Sequence, residues 1–140
     1  MTVRTELRWS EGLQFIGRAD NGPAIVLDTP EGGSGPSPME VILMGVAGCA
    51  GIDVVSILKK RRSPFTGILI KATGERAEGH PRRYTRLNMA FEVYGRGVKL
   101  KDVQKAIDLS LAKYCSAVAS LNAEIDHSFQ IVAQEPPVDR

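Results

Sequence analysis

Histidine and cysteine are both scarce in this chain, two of each in 140 residues. A structural zinc site usually takes four Cys or His ligands. His80, His127, Cys49 and Cys115 lie scattered along the chain, so a metal centre is hard to assemble. There is no C-x-x-C pair, and two cysteines far apart in sequence are not the disulfide framework of a small secreted domain. Neither sign of charge dominates either. A net charge of +2, with no basic stripe interleaved with aromatics, gives nucleic acid no footprint. The opening MTVRTELRW lacks an apolar segment followed by a small-residue cleavage site, so a cytoplasmic protein is expected. No internal repeat or low-complexity tract is present. What remains is an ordinary globular composition, 43% hydrophobic and 24% charged, of a length that suits a single domain over residues 1–140.

Short strands are expected over residues 1–30, as VRTELRW, LQFIGRA and AIVLDTP separated by the turns SEG and DNGP. Asp20-Asn21-Gly22 supplies residues that tolerate positive φ, which is a hairpin signal. EGGSGPSP then reads as a flexible loop by composition. A strand pair follows over residues 66–95, where Leu87, Met89, Phe91 and Val93 alternate along one face. A last strand is expected over 125–134, with EPPVDR as a frayed tail.

Two helices complete the pattern. Ser37, Pro38 and Glu40 form an N-cap, a first-turn proline and the acidic partner of a capping box. The first helix runs from there over 37–62 and ends in Lys59, Lys60, Arg61 and Arg62, whose charges oppose the negative end of the macrodipole as a solvated terminus. A second helix over 100–121 places Val103, Ile107, Leu111, Tyr114, Val118 and Leu121 at helical spacing. The order β-β-β-α-β-β-α-β defines an α+β chain, expected with antiparallel pairings.

The first helix is apolar enough to be mistaken for a membrane span, but Glu40 and Asp53 lie inside it and the rest of the chain alternates like a soluble sheet. We read it as a helix buried on nearly every side and expect no membrane contact. One small domain cannot easily surround such a helix, so a partner subunit is implied. Gly45, Gly48 and Gly51, with Ala47 and Ala50, would let another backbone approach closely.

Among those glycines stands Cys49. A free buried cysteine is most often an inert small hydrophobe. The second helix, however, carries the only other cysteine, Cys115, on the flank of its apolar face. Two helices packed in one core could bring both sulfurs within disulfide range. Asp53 lies four residues past Cys49 on the same helix face, where it would cap or pair with a buried polar group at the subunit interface. Trp9 is expected to pack on the sheet, and His80 and His127 to be structural or solvated.

GPSPMEVILMGVAGCAGIDVVSILKKRR together with LSLAKYCSAVASL resembles the OsmC/Ohr family of osmotically inducible and organic hydroperoxide resistance proteins, and most of all its YhfA-like branch. The resemblance covers nearly the whole chain. It implies an intertwined homodimer with central cysteine-bearing helices wrapped by antiparallel sheets. It also implies a role for each sulfur. Cys49 takes the peroxidatic position, attacking an organic hydroperoxide to give a sulfenic acid, and Cys115 resolves it as a disulfide that an external dithiol reduces, with no haem or metal.

A thiolate needs stabilising, and Cys49 lies some three turns into its helix, too deep for the N-terminal dipole to help much. The family's peroxidases use an arginine from an N-terminal strand or loop, held by a glutamate directly after the helix-entry proline. Arg18 is the nearest match for the arginine, with Arg82, Arg83 and Arg86 as further candidates. Met39 stands where the glutamate would be, and Glu40 comes one place later, about 100° around the helix. Two readings therefore stand: a hydroperoxide reductase using Cys49, Cys115, Arg18 and Glu40, and a non-catalytic dimer that binds a small apolar molecule at its interface.

Overall fold

Turn chemistry organises the first thirty residues into three strands, β1 (Thr5–Glu11), β2 (Gln14–Ala19) and β3 (Ala24–Leu27). In the computed structural model, which describes residues 1–135, they pair antiparallel in the order β1-β2-β3. Gly22 takes φ 102° in the β2–β3 turn, and its N–H donates to Ala19 O at 2.9 Å. A β-carbon is poorly tolerated there, so the expected hairpin rests on that glycine. Residues 136–140, most of the expected frayed tail, lie outside the described residues.

The chain divides into two compact units, Met1–Ile42 and Leu43–Arg140. In the first, the loop after β3 is pinned, although its composition reads as flexible. Asp28 is buried; its carboxylate accepts from the Thr29 N–H at 2.7 Å, the Ser34 N–H at 3.2 Å and the Ser34 hydroxyl, while its own N–H donates to Pro36 O at 3.1 Å. The Ser34 hydroxyl bond, the Thr29 amide and the Ser34 amide hold this carboxyl below the usual carboxylate range, against the opposing effect of burial. One buried anion thus collects the loop's donors.

Helix α1 (Pro38–Lys60) starts at the expected capping box. Glu40 N–H donates to Ser37 Oγ at 3.2 Å, and Ser37 N–H to Glu40 Oε1 at 3.0 Å. At the other end Arg62 adopts φ 57°, and Ser63 N–H donates back to Leu58 O at 3.0 Å, a left-handed stop that closes the last turn. By length and composition α1 could cross a membrane. Instead its Val46, Ala50, Val54 and Leu58, one turn apart, form a buried strip in the second unit. A Cβ added at Gly51 would stand 3.0 Å from Ile70 Cδ1, so there the missing side chain does serve close packing. At Gly45 and Gly48 nothing lies within 4 Å, and that flank of the helix is open.

The second sheet contains β4 (Gly67–Arg76), β5 (Tyr84–Tyr94) and β6 (Glu124–Val132), with β5 in the centre. Leu87, Met89, Phe91 and Val93 of β5 are buried, as their alternation predicts. β4 and β5 are antiparallel, but β5 and β6 run parallel, with Phe91 beside Phe129 and Val93 beside Ile131. The expectation of purely antiparallel pairing is corrected here. The helical segment between the two strands carries the chain back along the sheet, and such a crossover delivers the next strand in the same direction.

That segment is not one helix over 100–121. It comprises α2 (Leu100–Leu109), a π-helical turn (Ser110–Tyr114) and a short α3 (Ser116–Ala119). The break is at Cys115, whose backbone is extended at φ −74°, ψ 96°.

Candidate functional site

Three parallel strips on α1 define what it can present. The first is the buried strip through Ala50 and Val54. Beside it, Cys49 and Asp53 are half-buried one turn apart. Met44, Gly48 and Ile52 are exposed, Ile52 at 72%. Cys49 is therefore at the edge of the core, next to an open apolar flank.

The second cysteine is placed by the irregular end of α2. Val103, Ala106, Ile107 and Ser110 follow helical spacing and are fully buried. After Ser110 the turn widens: Cys115 N–H donates to Ser110 O at 2.7 Å, a five-residue span in place of four. Cys115 is left 4% exposed, and Tyr114 beside it is turned out.

Both cysteines are free thiols, and the Cys49 side chain is a neighbour of Cys115 that contributes to its raised value. Burial pushes the Cys115 thiol up, and its hydrogen bond to Cys49 adds to this, offset in part by the backbone amides of Val118 and Ala117.

Two polar ties join the helical segments, one near this pair and one about two turns further along. Ser110 Oγ donates to Asp53 Oδ2 at 2.9 Å, and Arg61 Nε donates to Asp102 Oδ1 at 2.7 Å. Asp53 finds its polar partner within the same chain, and Arg61, expected in a solvated terminus, pairs with buried Asp102. Ser110 was not singled out in the sequence. The signal that could have found it is Asp53 itself, because a carboxylate inside an apolar run requires a donor on whatever packs against it.

The remaining predicted residues have other neighbours. Arg18 donates to Gly22 O at 2.8 Å within its own hairpin and stands at the rim of a cavity of about 430 Å³ lined by Leu7, Gly17, Ile25, Leu27 and Val41. The Glu40 carboxylate is engaged by the Ser37 amide and hydroxyl, which hold it below the usual carboxylate range. Arg83 donates to Tyr84 O and Asn122 O, and Arg86 is clamped between Asp126 and Glu124. The Arg82 carbonyl accepts from Arg76 Nε. His80 and His127 are exposed. Trp9 does not pack on the sheet; it is 61% exposed and donates to Gly12 O at the β1–β2 turn. Among the described residues no group of three or more His, Cys, Asp or Glu side chains is arranged to hold a metal ion.

A second open space of about 590 Å³ runs between the exposed flank of α1 and β4, lined by Gly48, Gly51, Ile52, Val55, Ile68 and Ile70, with Ser56 and Lys59 at its polar end.

Comparison with known proteins gives four findings. The family model for OsmC-like protein matches residues 31–130. Protein YhfA of Escherichia coli (strain K12) is 43% identical over 133 residues, covering 94% of this chain and 99% of that protein. Among solved structures, a protein from Aquifex aeolicus VF5 superposes with a TM-score of 0.80 at 31% identity, covering 94% of this chain and 98% of that one. The organic hydroperoxide resistance protein OhrB of Bacillus subtilis superposes at 0.63 with 14% identity, over 93% and 98% of the two chains, which is a likeness of fold.

Proposed function

This chain belongs to the OsmC-like protein family, and on that premise we propose that it is a thiol-dependent peroxidase that reduces organic hydroperoxides. Family membership and the fold shared with organic hydroperoxide resistance proteins support a redox role of this kind. The observation that carries the mechanism is that the only two thiols are neighbours, Cys49 half-buried on α1 and Cys115 buried after the π-helical turn. The Cys49 thiolate attacks the distal oxygen of R–O–O–H, the O–O bond breaks, and the alkoxide leaves as the alcohol after taking a proton. Cys49 becomes a sulfenic acid. Cys115 beside it then attacks that sulfur and gives up its proton; water leaves and a disulfide forms. An external dithiol returns both thiols by exchange, so the electrons come from the dithiol and no bound cofactor is needed.

The same reading includes a homodimer. The exposed Met44, Gly48 and Ile52 of α1 and the apolar groove beside them support it, because a contiguous apolar face of this kind marks an interaction surface. It retains Arg18 as the arginine of thiolate stabilisation on the resemblance alone. It places the protein in the cytoplasm, where dithiols keep free cysteines reduced.

Hydroperoxide consumption with dithiothreitol as reductant tests the activity. Wild-type protein turns over and Cys49→Ser does not; turnover that survives in the variant refutes the mechanism. Two residues favour a second reading, a non-catalytic dimer that binds a small apolar molecule. Met39 stands where the family's peroxidases have glutamate, and the neighbouring Glu40 is committed to the helix cap. That reading expects no turnover in either protein.

A further inference from the structure

The two polar ties between α1 with its following residue and α2 with its π-helical turn share one register. Arg61 follows Asp53 by eight residues, and their partners Asp102 and Ser110 are also eight apart, in the opposite direction. The helices are therefore paired antiparallel, with matching rungs about 12 Å apart at 1.5 Å per residue. Continued by one more α-turn, from Asp53 back to Cys49, this register sets Tyr114 opposite Cys49. The structure sets Cys115 there instead. The π-turn that begins at Ser110 takes up one extra residue, so a five-residue span on the second helix matches the four-residue span from Cys49 to Asp53. Tyr114, 50% exposed, is displaced outward as a result.

Ser110 holds both ends of this arrangement. Its side chain, 0% exposed, donates to Asp53, and its carbonyl accepts the Cys115 amide. The last α1 rung before the cysteines and the first bond of the π-turn thus meet in one buried residue.

We propose that Asp53 and Ser110 are positioning residues for disulfide formation: their hydrogen bond anchors the π-turn so that Cys115, and not Tyr114, faces Cys49. This deepens the functional reading above and rests on it. Without the bond the start of the turn can slip by a residue. Attack on an outside oxidant by Cys49 is then unaffected, while the second step, which needs the sulfurs aligned, slows.

Oxidised glutathione separates the two steps without any hydroperoxide. The Cys49 thiolate attacks it, forming Cys49–S–S–glutathione and releasing one glutathione thiolate. The Cys115 thiolate then attacks the Cys49 sulfur and releases the second. Both rates are read by quenched-flow mass analysis. The resolution step is expected to fall at least about tenfold in Ser110→Ala and Asp53→Ala, because alignment governs intramolecular rates. The first step stays unchanged in Ser110→Ala and is not slowed in Asp53→Ala, which removes a carboxylate one turn from the attacking thiolate, and Asp53→Asn, which keeps an acceptor oxygen, resolves near the wild-type rate. Arg61→Ala breaks the distant tie and serves as the stability control, expected to resolve within about twofold of wild type since well-separated sites act independently. Resolution at the wild-type rate in Ser110→Ala, or equal slowing in Arg61→Ala, overturns the proposal. Wild-type protein that takes up glutathione and never resolves it overturns the cysteine-pair reading itself.

Discussion

The backbone amide of Cys115 donates to the carbonyl of Ser110 at 2.7 Å, five residues back, and after this wide turn Cys115 is buried while Tyr114 is exposed. An unbroken helix would have presented Tyr114 to the core and left the second thiol on the flank.

The division of labour between the sulfurs predicts what happens when the second is removed. Treated with one equivalent of hydroperoxide, Cys115→Ser accumulates the Cys49 sulfenic acid, which dimedone traps as a mass adduct. The same treatment of wild-type protein gives almost no adduct, because the adjacent thiol consumes the intermediate first.

Burial is the leading cause of the raised Cys115 thiol, and burial persists when Cys49 is replaced. In Cys49→Ser, alkylation of Cys115 by iodoacetamide should therefore reach half-maximal rate above the pH of about 8.5 typical of a free cysteine. The sign for stability follows. A thiol whose folded-state value lies above its unfolded one stabilises fully while protonated, and that contribution is lost as the pH climbs through the folded value. A titration midpoint below that of free cysteine would contradict the assignment.

Asp28 has the opposite sign. Its carboxyl is held below the usual range by Ser34 and Thr29, so its contribution is complete above about pH 4 and is lost as the pH falls through the lower folded value. Asp28→Asn should be less stable than wild type in urea at pH 7, and the gap should close on acidification below pH 4. A gap that is constant with pH would show that the carboxylate charge plays no part.

Gly48 tests the dimer. Nothing in the chain lies within 4 Å of a Cβ placed there. If the flank faces solvent, Gly48→Leu only improves the helix, by roughly 1 kcal/mol. If a second copy packs on it, the leucine blocks close approach, and sedimentation should show wild-type dimers and variant monomers. Identical sedimentation of the two proteins would remove the interface from this face.

Much of this architecture is legible in the sequence because local rules agree. Ser37 and Glu40 announce the start of α1, and the alternation from Leu87 to Val93 identifies the central strand. The features that are not legible are those that local periodicity cannot carry. The spacing of Val103, Ile107, Leu111 and Tyr114 runs smoothly through the π-turn, so it assigns Tyr114 to the core, whereas one additional residue in the turn exchanges its place with Cys115. The direction of β6 depends on the crossover that delivers it and not on its own residues. Gly- and Ser-rich composition suggests a mobile loop after β3, yet a single buried carboxylate, Asp28, gathers its amides. Of the site, the cysteines and Asp53 are visible in sequence as polar or reactive atoms within an apolar run; Ser110 is inconspicuous until its partner is known.

The central claim is that Cys49 and Cys115 act as one redox unit. Its most direct test is to add one equivalent of cumene hydroperoxide to the reduced protein, count free thiols and map the products by mass under non-reducing conditions. The account predicts that both thiols disappear together into a single Cys49–Cys115 disulfide within one chain. Two thiols still countable after exposure, or Cys49 carried on to sulfinic acid while Cys115 stays free, would contradict it.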